Sequence, residues 1–189
     1  SYRTQDTAGD LLDLAGGPCR AVVISNAVDM IPPAERQAYA RKIHDPVVEL
    51  RDAGLDAEGL DLRDYFGAPA ALERDLANVG LVWAVGGNAF LLRRALRQSG
   101  MDAILARRLA EDSLAYGGWS AGACVAGSTL RGLHLMDEPE LVTPGYDPEV
   151  IWGGMGLVDF AIVPHFASDH PEAQAADRAA AYLAAGAIP

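Results

Sequence analysis

Gly118-Trp119-Ser120-Ala121-Gly122 is a G-x-S-x-G stretch, preceded by a short apolar run (Leu114, Ala115, Tyr116) and followed by the small-residue stretch Ala123 to Ser128. That context reads as a strand, a sharp turn and a helix. The flanking glycines let strand and helix approach each other, and the serine is left exposed at the turn. The backbone N–H of the next residue then faces whatever reacts with the serine. With a base nearby, Ser120 becomes an acyl-transfer nucleophile. The pentapeptide alone is a weak signal in a chain rich in Gly, Ala and Ser. The rest of the sequence has to supply a base, an acid and an oxyanion hole.

Outward from this turn the chain alternates strand and helix, the pattern of a parallel sheet with helices on both faces. Arg20 to Asn26 reads as a buried strand and Leu60 to Leu62 as part of a short one. Val79 to Val85 is a strong apolar strand ending in Gly86-Gly87. Leu114 to Gly117 feeds the elbow, and Ala161 to Val163 is a further strand. Helices are expected over Pro33 to Ala53 with Gly54 as the stop, over Pro69 to Ala77, and from Asn88 to about Gln98 with Gly100 as the stop. Two more are expected over Met101 to Glu111 and Pro171 to Ala184. Arg131 to Gly156, rich in Gly, Pro and acids, is expected to loop over the site. No internal repeat or low-complexity linker is visible.

The 189 residues suffice for one domain with a sizeable core, and half of them are apolar. The net charge of −11 argues against nucleic acid and anionic membrane as partners, since both need a basic surface. Of the 15 basic residues only Lys42 is a lysine, which we read as genome composition. Cys19 and Cys124 are too few for a disulfide framework, and Cys124 reads as a small core hydrophobe. No apolar run reaches the length of a membrane span and no signal peptide is visible, so the expected location is the cytoplasm.

Ligands of open sheets bind beyond the carboxyl ends of the strands. Gly86-Gly87-Asn88, Ser120 and Pro164-His165 all fall there. Among the histidines, His44 lies in the first long helix, His134 in the loop after the elbow and His170 at a helix start. His165 directly follows a strand and is the candidate base. His165 and His170 with Asp169 fit no strong metal signature, so neither a metal nor any other cofactor is expected. The acid would hold the imidazole in its working tautomer. Asp137 and Glu138 both lie between Ser120 and His165, and spacing does not separate them. Gly87 N–H and Ala121 N–H are the candidate oxyanion donors, with the positive end of the helix opened by Asn88 behind them.

Val85-Gly86-Gly87-Asn88-Ala89-Phe90-Leu91-Leu92, Gly118-Trp119-Ser120-Ala121-Gly122-Ala123 and Pro164-His165-Phe166, in this order, resemble the peptidase E (aspartyl dipeptidase) family of serine peptidases, to whose wider group cyanophycinases belong. The resemblance is good from about Val79 to Leu183. It implies an α/β fold with a doubly wound, mostly parallel sheet flanked by helices, like that of class I glutamine amidotransferases. It also implies metal-free release of N-terminal aspartate from short peptides, with Ser120 as nucleophile, His165 as base, and Gly87 and Ala121 as oxyanion donors. The family's acid lies two residues before a proline, as Asp137 does before Pro139. The loop is longer here, so the acid stays open between Asp137 and Glu138. The family's aspartate-reading arginine falls at Ala176, and Arg178 is the only arginine on that helix. Asn88 and Arg178 are therefore the candidate substrate-binding residues. Strands that relatives carry before Ser1 and after the last helix have no counterpart, so the expectation is a single domain over 1–189 that lacks an edge strand at each end.

The leading expectation is a cytoplasmic serine peptidase of dipeptides or short peptides, monomeric or homodimeric. Two others stand beside it: an amidotransferase-like or esterase hydrolase on another acyl substrate, and a catalytically silent binding domain.

Overall fold

The computed structural model describes residues 8–42 and 45–186. Four parallel strands form one sheet in the order β2-β1-β3-β4: β1 (Arg20–Ile24), β2 (Asp56–Leu60), β3 (Val79–Ala84) and β4 (Ala115–Gly118). Alternation along the strands sends side chains to opposite faces. Val22, Ile24, Val82 and Ala84 belong to one buried cluster, and Ala21, Val23 and Leu81 to a second. The first is covered by α4 (Pro69–Asp75), α5 (Ala89–Ser99), α6 (Met101–Ala110) and α7 (Ala121–Cys124), which contribute Leu72, Phe90, Leu105 and Cys124. The second is covered by Leu11 from α1 (Ala8–Leu14) and Leu50 from α3 (Pro46–Asp52). A sheet buried on both faces needs near-continuous apolar strands, as β1 and β3 are.

The register levels the carboxyl ends: Ile24 pairs with Ala84, and Ala84 with Gly118. The connections leaving β1, β3 and β4 therefore emerge together. Order 2-1-3-4 reverses direction between β1 and β3, and a crevice forms at such a switch point.

The structure differs from the sequence expectations in three places. The helix expected over Pro33 to Ala53 is two helices, α2 (Pro33–Lys42) and α3. Pro46 cannot continue a helix, and Asp45 caps the new one, accepting from Val47 N–H and Val48 N–H at 3.0 and 3.3 Å. His44 lies outside the described residues. The expected strand Ala161 to Val163 does not form; its residues are half-buried and pair with no strand among the described residues. The adjoining Phe160 carbonyl instead accepts from Ser128 N–H at 3.0 Å, tying the segment to the end of the α7 turn rather than to β4. Lastly, β2 runs over Asp56–Leu60, and Leu62 opens a 3-10 turn.

Helix α5 is the centre of the molecule. Asn88 caps it, its Oδ1 accepting from Leu91 N–H at 2.9 Å, and Gly100 ends it with φ 79°. Residues 89–96 of α5 are all buried, Arg93 and Arg94 included. Among the described residues no helix is long and apolar enough to cross a membrane.

Candidate active site

Ser120 has φ 49° and ψ −120°, a conformation that L-residues avoid. The strain is imposed by close packing on both sides. A Cβ on Gly118 or Gly122 would overlap the Ala84 carbonyl oxygen at the end of β3. Tyr116 Oη donates to the Gly122 carbonyl at 2.6 Å, pinning α7 to β4. Gly117 leaves room for the Trp83 ring, whose atoms a Cβ there would meet at 2.5 Å. The elbow is therefore a consequence of strand and helix backbones in van der Waals contact.

Beyond the carboxyl ends of β1, β3 and β4 lies a cavity of about 390 Å³. Ser120 and Ala121 line it from the elbow, and Gly87 and Asn88 from the β3–α5 turn. Gly87, at φ 137°, packs so closely on the loop after β1 that a Cβ would lie 2.5 Å from the Ala27 carbonyl oxygen. Among the described residues no acceptor takes the N–H of Gly87 or of Ala121. Two residues lining the cavity beside Ser120 thus carry uncommitted backbone donors, which an oxyanion hole requires.

Asp137 and Glu138 line the same cavity. Asp137 Oδ2 accepts from Ala89 N–H at 2.8 Å, at the amino end of α5. Burial pushes its carboxyl up to about 6, the Ala89 bond opposes this, and the Glu172 charge adds to it. Glu138 is exposed, and its backbone carbonyl accepts from Asn88 Nδ2 at 2.9 Å. Asn88 thus caps α5 and anchors the acid-bearing loop at once. Cys124 lies in the cavity wall, 1 % exposed. Burial and then Asp137 hold its thiol up at about 12, so it stays protonated beside Ser120.

His165 does not end a strand. It lies in a turn with φ 62°, half-buried, between Pro164 and Glu172, both of which line the cavity. Its ring stacks on His170 at 3.7 Å between centroids, and its Nε2 lies 3.6 Å from a Glu172 carboxylate oxygen. Burial and then His170 push its pKa down, against the pull of Glu172. No hydrogen bond joins His165 to Ser120, Asp137 or Glu138 among the described residues. Sequence reasoning missed Glu172, whose only signal was its place at the start of the last helix. His134 is elsewhere, stacked edge-on against Trp152 and Tyr182, its Nδ1 accepting from Gly132 N–H.

The candidate Arg178 does not line the cavity, nor does Arg131 after the elbow. Arg178 is exposed on α8 (Ala173–Ala184), Ala176 is buried on the same helix, and Arg131 lies over the Trp152 ring. The carboxylates lining the cavity are Asp137, Glu138 and Glu172, and no basic residue among the described ones joins them.

Comparison with known proteins identifies the family and the fold. An uncharacterized peptidase of Listeria innocua is 28% identical over 124 residues, 63% of this chain and 56% of its own. Peptidase E of Salmonella arizonae is 38% identical over 87 residues, 46% of this chain and 34% of its own. The chain thus spans about half the length of the first of these relatives and a third of the second. A crystal structure of a putative peptidase E protein from Listeria monocytogenes superposes with a TM-score of 0.72 at 21% identity, covering 96% of this chain and 84% of that one, and so shares the fold. The model of peptidase family S51 matches residues 20–188, nearly the whole chain, and the chain belongs to that family.

Proposed function

We propose that this chain is a cytoplasmic serine peptidase of dipeptides and short peptides that works through an acyl-enzyme. Ser120 attacks the scissile carbonyl, the N–H groups of Gly87 and Ala121 hold the oxyanion, and His165 takes the serine proton and returns it to the leaving amine. The observation that carries the reading is the strained Ser120 in a cavity also lined by two residues, Gly87 and Ala121, whose N–H groups have no acceptor among the described residues. At about 390 Å³ the cavity has the size of a small-molecule pocket, which suits a short peptide better than a folded protein. Family membership supports the reaction class.

The scheme requires His165 to turn from Glu172 toward Ser120 once substrate is bound; catalytic hydrogen bonds are often unformed in the free enzyme. Asp137 is our candidate for the acid, with Glu138 as the alternative from sequence and Glu172 as the carboxylate nearest His165. For N-terminal aspartate, a charge-assisted arginine partner is the natural reader. The cavity offers carboxylates instead, so we assign them to the free α-ammonium group of the substrate and expect broad side-chain selectivity.

A dipeptide panel with fluorophosphonate labelling tests this. Wild type is expected to hydrolyse several dipeptides and to be labelled at Ser120. Ser120→Ala and His165→Ala should each lose hydrolysis, and the double variant should be little worse than either, because they act as one unit. Near-normal turnover by His165→Ala would overturn the assignment.

A further inference from the structure

We propose that His165, His170 and Glu172 form a binding site for a divalent transition-metal ion such as Zn²⁺, and that its occupancy switches the enzyme off by holding His165 away from Ser120. The second half rests on the peptidase reading above; the site itself does not.

One ligand atom from each of the three side chains can be chosen so that all lie within 4.8 Å of one another. A single Glu172 carboxylate oxygen lies 3.6 Å from His165 Nε2 and 3.7 Å from His170 Nδ1, which also accepts from Glu172 N–H at 3.2 Å. Two imidazoles and a carboxylate are the donor set that suits zinc, with bonds of roughly 2.0–2.2 Å. The side chains are between a quarter and half exposed, so an ion can reach them; because imidazole lone pairs lie in the ring plane, the stacked rings must swing apart for both to ligate one ion.

The backbone between them is built to bring the histidines together. His165 and Ala167 both have positive φ, 62° and 47°, curling the chain back on itself. The curl is locked by side chains: Ser168 Oγ donates to the His165 carbonyl at 2.8 Å and accepts from His170 N–H, and Asp177 Oδ1 on α8 accepts from Ala167 N–H at 3.1 Å. His165 and Ala167 are both non-glycine residues held in a strained backbone region.

Bound metal would take a nitrogen lone pair of His165, so that the imidazole could not accept the Ser120 proton. Three protein ligands leave positions for water. Because Glu172 also lines the cavity, the ion would sit at its rim.

The test uses chain stripped with a chelator and exchanged into metal-free buffer. Zn²⁺ is titrated calorimetrically, and Co²⁺ is followed by its visible absorption. One saturable site per chain is expected. His170→Ala, His170→Phe and Glu172→Gln should each weaken it by about tenfold or more, since even outer-shell changes cost that much, whereas Ser120→Ala should bind like wild type. His170→Phe keeps a flat ring against His165 and so separates ligand loss from loss of stacking. In parallel, saturating Zn²⁺ should slow fluorophosphonate labelling of Ser120 in wild type and leave the His170→Phe rate unchanged. Absence of a saturable site, or binding indifferent to all three substitutions, would overturn the site. Binding that leaves the labelling rate unchanged or raises it would overturn the switch. If metal-free wild type is not labelled at all, the peptidase reading fails and the switch with it, while the titration still decides the site.

Discussion

Ser120 shows how one backbone angle ties stability to function. Its φ of 49° is tolerable to glycine and strained for serine. Ser120→Gly should therefore raise unfolding free energy by about 1 kcal/mol, the relieved strain less the extra chain entropy of glycine, while ending hydrolysis. Denaturant unfolding checks this, and a destabilised Ser120→Gly would contradict it. Gly122→Ala should do the reverse, costing about 2 kcal/mol or more, because its Cβ would enter the Ala84 carbonyl. Asp137 carries a second such coupling. Its carboxyl, pushed up to about 6 in the fold, lies above the ordinary aspartate value of 3.8. The fold thus binds more protons than the unfolded chain between these values, and stability falls as pH rises through that window. Asp137→Asn keeps an acceptor for Ala89 N–H without the charge. It should stabilise the protein at neutral pH by up to about 2 kcal/mol, after allowance for partial solvation, and the gain should vanish toward pH 4. If Asp137 is the acid, the same change lowers turnover by orders of magnitude. Melts of both proteins across this range, beside turnover of Asp137→Asn, Glu138→Gln and Glu172→Gln, separate the two effects.

At the scale of elements, α5 organises the site from its amino end and its flank. Asn88 at its start holds the Glu138 carbonyl, Ala89 N–H holds Asp137, and Arg94 on its side holds the irregular segment from behind. Arg94 is 0% exposed and donates to the carbonyls of Pro139 at 2.7 Å and Glu149 at 3.0 Å. Arg93 adds a bond to the Gly153 carbonyl at 3.0 Å. A segment without strands or long helices must find partners for its carbonyls elsewhere, and these arginines supply them. Arg94→Met should fill the space yet leave buried acceptors unpaired, costing about 3 kcal/mol. It should also raise KM or lower kcat by releasing the Asp137 loop. A Tm equal to wild type would show that water replaces the guanidinium.

Over the whole molecule, charge argues against a strong preference for acidic substrates. The chain carries −11, and its cavity is lined by Asp137, Glu138 and Glu172. kcat/KM for Asp-X dipeptides should not exceed that for Ala-X, and Arg178→Ala should leave their ratio unchanged, since Arg178 lies outside the cavity. A marked Asp-X preference lost in Arg178→Ala would show that α8 moves to meet the substrate. The alternation of apolar strands with capped helices, the Asn88 cap, the Gly100 stop and the glycines around Ser120 were all legible in the sequence. They are local: turn chemistry, hydrophobic periodicity and missing Cβ atoms act within a few residues of one another. The break at Asp45-Pro46 is equally local: helical periodicity predicts one long helix across it, but Pro46 starts a new helix that Asp45 caps. Only the tertiary structure decided that residues 161–163 pair with no strand, that Asp137 bonds to Ala89 rather than to a histidine, and that His165 meets His170 and Glu172 in a curled turn. Those outcomes depend on which distant carbonyls, N–H groups and charges are brought into reach by packing, and no spacing along the chain encodes that.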